Sequence, residues 1–168
     1  MDWLKALFVW VDTFPSSTVI RESTFWFPFL LTVHVVSMCL FAGLIIMMDL
    51  RLFGIGNMRT PFSVVQKRLF PWQMAGITIN AITGLALVYG QPLRYYGNVY
   101  FWIKTLMMVL AGINALAFHF STYESVSAWD AKPIVPYGAK LAAVVSIVLW
   151  AAVIACGRLM AYNWFNPV

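Results

Sequence analysis

Long apolar stretches with few charged residues dominate the hydrophobic pattern of the chain. Four of them predict membrane-spanning helices, because about 20 apolar residues are needed to cross about 30 Å of hydrocarbon. The expected spans cover residues 24–48, 70–91, 100–123 and 138–162. None of these stretches alternates polar and apolar residues with the period of two that barrel strands show. The pattern therefore predicts an all-α fold, an integral membrane four-helix bundle within residues 24–168.

The segments outside the expected spans have a different pattern. Residues 1–23 are too short and too polar to span, but their apolar residues can share one helical face, which predicts an N-terminal interfacial amphipathic helix. Pro15 is expected to end that helix, and Ser16 or Ser17 to cap a second short turn. Residues 57–70 contain three cations and predict a second interfacial segment.

Composition agrees with a lipid environment. The chain is 62% hydrophobic and 10% charged, whereas soluble domains have about 25% charged residues. The net charge of +5 comes from cations that lie mostly between the apolar runs. Such cations favour lipid head groups over nucleic acid. The densest group lies in residues 49–70, which weakly favours an N-out, C-out orientation by the positive-inside rule.

Local motifs exclude several kinds of chemistry. The sequence has no nucleophile elbow, phosphate loop, dinucleotide fingerprint or His-Glu-x-x-His motif. Its six carboxylates all lie outside the expected spans, so a proton relay within the membrane is not predicted. Gly76, Asn80 and Gly84 fall on one face of the second span, which predicts close packing against another helix.

The only two histidines, His34 and His119, fall within the first and third expected spans. Ionisable groups inside lipid usually face the bundle interior and often serve a function. The alternative is an imidazole that simply bonds to a backbone carbonyl or to a nearby polar side chain. The polar side chains considered for this are Ser37, Asn80 and Asn114.

A haem site is the functional hypothesis for these histidines. Haem b can be held between helices by two neutral imidazoles, with small and aromatic residues beside the macrocycle. His34 and His119 are the expected axial ligands. The helical stripes that contain them predict a lining made of Ser37, Phe41, Gly112 and Ala115. Arg51 and Lys104 are candidates for contact with haem propionates or a quinone head group, with a lipid-facing role as the alternative.

The depth of the two histidines tests the shared haem. Counted from the outer ends of their spans, the histidines differ in depth by about 13 Å at 1.5 Å per residue. Counted from the inner ends, the difference is about 6 Å, which helix tilt could absorb. Two haems with one histidine each, or a site between subunits, remain open.

A short signature resembles that of a known kind of protein. His34-Val-Val-Ser-Met-Cys-Leu-Phe-Ala-Gly43, followed by Asp49-Leu-Arg-Leu-Phe-Gly54, resembles small uncharacterised bacterial four-span membrane proteins. These proteins are loosely similar to the copper-resistance D membrane family and to b-type membrane cytochromes. The resemblance implies a bacterial inner membrane and pairs His34 with His119. Similar later elements are Thr83-Gly84-Leu, Phe101-Trp-Ile-Lys104 and Asn114-Ala-Leu-Ala-Phe-His119.

Three functions follow as hypotheses. The first is a haem-b electron-transfer subunit of a larger membrane complex, linked to quinone. The second is an anchor or accessory subunit without a cofactor, whose partners are the bilayer and other membrane subunits. The third is copper handling, because His34 and Met38 are four residues apart beside Cys39 and soft ligands suit Cu(I).

Overall fold

The computed structural model describes residues 2–56, 59–123, 126–130 and 135–162. Every regular element within these ranges is helical, which confirms the all-α fold. α6 continues directly into a π-helical turn, His119–Tyr123. In chain order the helices are α1 (Asp2–Asp12), α2 (Pro15–Glu22), α3 (Trp26–Leu52), α4 (Phe62–Gly90), α5 (Pro92–Tyr96), α6 (Val99–Phe118), α7 (Val126–Trp129) and α8 (Tyr137–Leu159).

Four helical segments are long and apolar enough to cross a membrane: α3, α4, α8 and the continuous run Val99–Tyr123. They correspond to the four stretches expected from the sequence, so the chain is a multi-pass membrane protein. Large apolar side chains on their outer faces, such as Val36, Ile82 and Val148, are exposed on the protein surface. Lipid is the solvent that accommodates such a surface.

The first span extends further than its apolar run. α3 ends at Leu52 rather than near residue 48, so Asp49 and Arg51 lie inside the helix and are buried. The expectation that every carboxylate lies outside the spans is therefore wrong for Asp49. Its neighbours Met48 and Leu52 pack into the bundle core, and this packing favours continuation of the helix past the charged residues.

The second span starts earlier than expected. α4 begins at Phe62, so residues 62–70 belong to the long helix rather than to a separate interfacial segment. Pro71 lies inside α4, and it removes the amide that would bond to the carbonyl four residues before it. On either side of this proline, Gln66 Nε2 donates to Gln73 Oε1 at 3.0 Å. The two glutamines therefore link the segments that Pro71 separates.

The start of α4 is capped from a distant part of the chain. Asp130, just after α7, accepts a hydrogen bond from the Ser63 backbone N–H at 3.1 Å and a second one from the Ser63 hydroxyl. A carboxylate at a helix N-terminus satisfies free amides and complements the helix dipole. Nearby, Met48, Leu52, Phe62, Trp129, Ala139 and Ala143 form a buried apolar cluster. This cluster closes one end of the bundle.

The four long helices are arranged as two pairs. α3 packs against α4, α6 packs against α8, and a smaller α3–α8 contact joins the pairs. Within the second pair, Asn114 Nδ2 donates to the Ala142 carbonyl at 2.9 Å. α4 and α6 make almost no contact. The bundle is therefore open along the side between α4 and α6.

The α3–α4 interface uses the face of small residues expected from the sequence. Gly76 lies against Phe41, so that a Cβ atom at residue 76 would come within 3.0 Å of the Phe41 Cβ atom. Asn80 Nδ2 donates to the His34 carbonyl at 2.8 Å and to Ser37 Oγ at 3.3 Å. Small residues and interhelical hydrogen bonds hold helices together in lipid, where apolar area gives no net drive.

The N-terminal segment packs on the opposite end of the bundle from the apolar cluster. The fully buried Ser17 donates from its hydroxyl to the Tyr89 carbonyl at 2.7 Å, and Ser16 bonds to the Tyr89 hydroxyl. Neither serine caps α2, because Pro15 occupies its first turn and no side chain caps it. The serine-cap prediction is therefore wrong. α1 leaves Trp3 and Trp10 exposed, as an interfacial helix does.

Asn98 supports the start of α6, and its replacement gives a test of this corner of the fold. Its side chain accepts from the Tyr100 N–H at 3.0 Å and donates to the Met160 carbonyl at 3.3 Å. We expect Asn98→Ala to lower the free energy of unfolding by about 1 kcal/mol through loss of the cap. Asn98→Asp keeps a capping oxygen and should cost less. Unfolding by SDS in mixed micelles measures both, and equal losses would contradict the capping role.

Candidate cofactor-binding cavity

A cavity of about 1570 Å³ lies between the α3–α4 pair and the α6–α8 pair. Most of its wall is apolar. Several of its lining residues on α4 and α6, including Ile77, Leu85 and Met108, are also exposed on the protein surface. The cavity therefore opens sideways between α4 and α6, toward lipid. Its size and apolar wall suit a flat or elongated apolar ligand.

His34 lines this cavity from α3, and α4 holds its ring. Its Nδ1 atom lies 3.1 Å from the Asn80 carbonyl oxygen and 3.0 Å from Thr83 Oγ1. The Thr83 hydroxyl donates its own proton to the Ile79 carbonyl at 2.7 Å, so both neighbours of Nδ1 act as acceptors. Nδ1 therefore carries the proton, and the Nε2 lone pair of the neutral ring is available.

The position of the His34 ring is further constrained by its packing. A Cβ atom on Gly84 would lie 3.0 Å from the His34 Cε1 atom, so a larger residue would have to displace the ring slightly from α4. Asn80 also binds the His34 carbonyl. Metal-binding histidines typically donate their second ring N–H to a carbonyl or carboxylate, which fixes ring orientation and raises ligand basicity. His34 has this arrangement.

Lys104 of α6 lines the cavity at the same end as His34. Its ammonium group lies close to α8, 3.7 Å from where a Cβ atom on Gly157 would be. Within the described part of the chain Lys104 forms no ion pair. A partly buried cation of this kind favours an anionic group in the cavity.

His119 lies at the other end of the cavity. It begins the π-helical turn, and its ring stacks on Tyr123 with centroids 5.5 Å apart and an angle of 22° between the rings. The preceding Phe118 contacts Phe62 at the start of α4, with ring centroids 6.5 Å apart. His119 is exposed and borders the cavity near its closed end.

The structure does not bring His34 and His119 together. His34 meets α4 at residues 80–84, whereas the turn beside His119 meets α4 at Phe62. Eighteen residues of helix separate Phe62 from Asn80, or about 27 Å at 1.5 Å per residue. Two axial nitrogens on one iron lie roughly 4 Å apart, since metal–imidazole bonds are about 2 Å long. The arrangement therefore does not fit one haem that both histidines ligate.

The other sequence-predicted site residues divide into two groups. Phe41, Gly112, Ala115 and Lys104 line the cavity, and their contacts with a haem or quinone stay predictions. Ser37 does not, because its side chain is buried against α4, where it receives the Asn80 amide. Arg51 also faces away, since its guanidinium donates to the Thr60 carbonyl in the loop after α3. The prediction that Ser37 lines the site is therefore wrong. The prediction that Arg51 contacts an anionic group of the ligand is wrong as well.

Sequence reasoning missed Asp49 as a cavity residue. It is only 8% exposed, lines the cavity and faces Ser146 of α8. The apolar Leu50, Leu52 and Phe53 that follow it were the available signal that the helix continues past the carboxylate. For metals other than haem iron, no group of three or more His, Cys, Asp or Glu side chains that could hold an ion occurs among the described residues.

Comparison with known proteins places the chain in a family. A family model matches residues 5–163, and the chain belongs to this family of unknown function, DUF6644. This fits the expectation of an uncharacterised family, while the proposed signature and its likeness to membrane cytochromes stay predictions. No curated protein matches the chain. No solved structure matches it either.

Proposed function

We propose that this protein binds haem b in the cavity through His34 and acts as an electron-transfer subunit of a bacterial inner-membrane complex, linked to quinone. The observation that supports this most is the state of the His34 ring. Nδ1 donates to α4, so the Nε2 lone pair is left for an iron atom inside a large apolar cavity. A neutral imidazole in a low-dielectric site is a common haem ligand.

The residues around His34 leave space for a haem. Gly84 leaves room beside the imidazole, and the small side chains of Gly112 and Ala115 line the cavity from α6. Lys104 supplies a cation for a carboxylate, and haem b carries two propionates. When bound, haem b takes up and releases single electrons. The protein's part is to hold the ring, pair the acid groups and exclude water from the cavity.

His119 has a separate role in this proposal. It lies too far from His34 to share the iron, so it is available for a second haem or for a site completed by another subunit. The N-out, C-out orientation expected from the cations is kept as part of the proposal. It places α1, α2 and the His34 end of the cavity near the outer surface.

Absorption spectroscopy of detergent-purified protein tests the proposal. Protein from haem-sufficient cells should show a Soret band and, after dithionite, an α band. We expect His34→Ala to remove more than nine-tenths of this absorbance if one haem is bound, and about half if His119 holds a second, because no other described side chain offers the same ring nitrogen at that end of the cavity. Lys104→Ala should weaken haem binding several-fold, because a charge-assisted contact is lost.

His119→Ala is the matched control, and the two variants distinguish the possible arrangements. Retention of the full absorbance in His119→Ala supports a single haem on His34, and loss of about half supports two haems. Wild-type protein that stays colourless after haem is supplied would contradict the proposal. So would His34→Ala protein with an unchanged spectrum.

An accessory subunit without a cofactor is the second candidate. α6 and its π-helical turn favour it, because only 6% of the most apolar part of this segment is buried inside the protein. A helix so little covered by its own chain could pack against a neighbouring subunit as well as against lipid. Co-purification of a stoichiometric membrane partner with colourless protein would support this candidate. Copper handling remains testable by metal analysis of the same sample.

A further inference from the structure

Asp49 is a buried acid in the cavity wall, far from His34. The two residues are both on α3, fifteen positions apart, which corresponds to about 22 Å along the helix. Asp49 is 8% exposed and lines the cavity near its closed end. A ligand group at Asp49 is therefore separate from the proposed haem contact at His34, and the following inference does not depend on haem binding.

The carboxyl group of Asp49 is only partly satisfied. The Ser146 hydroxyl of α8 faces it. Its Oδ2 atom is fully buried and has no hydrogen-bond partner among the described residues. The cations of the described chain form no ion pair with it. Buried polar atoms almost always have partners, and an exception calls for an explanation such as an absent ligand.

The surroundings indicate what kind of ligand would satisfy this oxygen. Along the wall between His34 and Asp49, Phe41 and Trp150 pack edge to face with centroids 4.9 Å apart, and both line the cavity. Such rings accept another aromatic ring. The opening between α4 and α6 faces lipid. The ligand should therefore be apolar and aromatic, should enter from the membrane, and should carry a hydrogen-bond donor.

We propose that Asp49 and Ser146 form a binding site for the hydroxyl group of a hydroquinone-class lipid. On binding, the Asp49 carboxyl group turns toward the cavity so that the ligand hydroxyl donates to Oδ2. The ligand ring lies against Phe41 and Trp150, and its tail leaves through the α4–α6 opening. The Ser146 hydroxyl, which faces the carboxyl group from α8, holds it in place. The structure thereby assigns a hydrogen-bonding role to Asp49, the one carboxylate of α3.

Equilibrium binding to protein reconstituted in bilayers of constant lipid composition, under anaerobic conditions, tests this site. The probes are decylubiquinol and its dimethyl ether, which has the same ring and tail but no hydroxyl donor. Wild-type protein should bind the quinol about tenfold more tightly than the ether. Asp49→Leu should abolish this preference by weakening quinol binding alone. Glu22→Gln, an exposed carboxylate at the opposite end of the protein, is the matched control and should keep the preference.

Three results would overturn the inference. These are equal affinity of the wild type for quinol and ether, an unchanged preference in Asp49→Leu, and tighter binding of decylamine than of the quinol, which would indicate a site for cations. His34→Ala separates this site from the haem proposal. Its quinol preference should persist even if its haem is lost.

Discussion

Replacing Gly76 with leucine should leave little folded protein, because it forces α3 and α4 apart. A Cβ atom at this position would lie 3.0 Å from the Phe41 Cβ atom and 3.4 Å from its Cα atom. The obstacle is partly backbone, so no change of rotamer at Phe41 can make room. Overpacking of a well-packed site typically costs about 1–3 kcal/mol, and a whole leucine side chain against backbone should cost at least about 3 kcal/mol.

The effect of Gly76→Leu should reach the candidate site. The same interface contains the Asn80 contacts that hold His34, so separation of the helices also frees the imidazole. SDS unfolding in mixed micelles and the yield of monodisperse protein measure the loss. Gly43→Leu on α3 is the matched control, because a Cβ atom there meets nothing within 4 Å. Similar losses in both variants would contradict the packing argument.

Replacing Asp49 with leucine should have the opposite effect and stabilise the protein. Leucine has a similar size and removes a buried oxygen that lacks a partner. An unsatisfied buried polar atom costs about 1–3 kcal/mol, so we expect a gain of about 1–2 kcal/mol in the free energy of unfolding. The measurement is again SDS unfolding, made without added ligand.

Two companion variants separate the causes of that gain. Asp49→Asn keeps a buried polar group facing Ser146 and should leave stability nearly unchanged. Asp49→Leu combined with Ser146→Ala removes both polar partners and should be at least as stable as Asp49→Leu alone. A marked loss of stability in Asp49→Leu would show that the carboxyl group supports the fold. The unpartnered Oδ2 atom would then be no evidence for a ligand.

The spans were predictable from the sequence because lipid imposes a strong constraint. A helix must satisfy its own backbone in the hydrocarbon layer, so long apolar runs such as the one in α3 are readable without a structure. The contact face of α4 was readable for a related reason. Gly76, Asn80 and Gly84 recur at the helical period, and small or amide side chains have few uses in lipid other than helix packing.

Depth within the bundle was not predictable, since it depends on where helices end and on how neighbours are staggered. The apolar run of the first span stops at Met48, but core packing of Leu52 carries the helix past Asp49. For the same reason the sequence did not reveal how far apart His34 and His119 lie, which is too far for one iron. Counting from either set of predicted ends gave smaller differences in depth than the contacts of His34 and Phe118 along α4 indicate.

The gap between α4 and α6 determines how the cavity would be filled. A molecule that enters from the side is drawn from the bilayer, where amphiphiles are concentrated far above their level in water. Occupancy then depends on the mole fraction of the molecule among lipids, and weak contacts suffice to fill the cavity at a modest fraction. Dilution with detergent would empty it even though every contact residue is intact. Affinities for this protein are therefore best expressed per lipid and compared at constant bilayer composition.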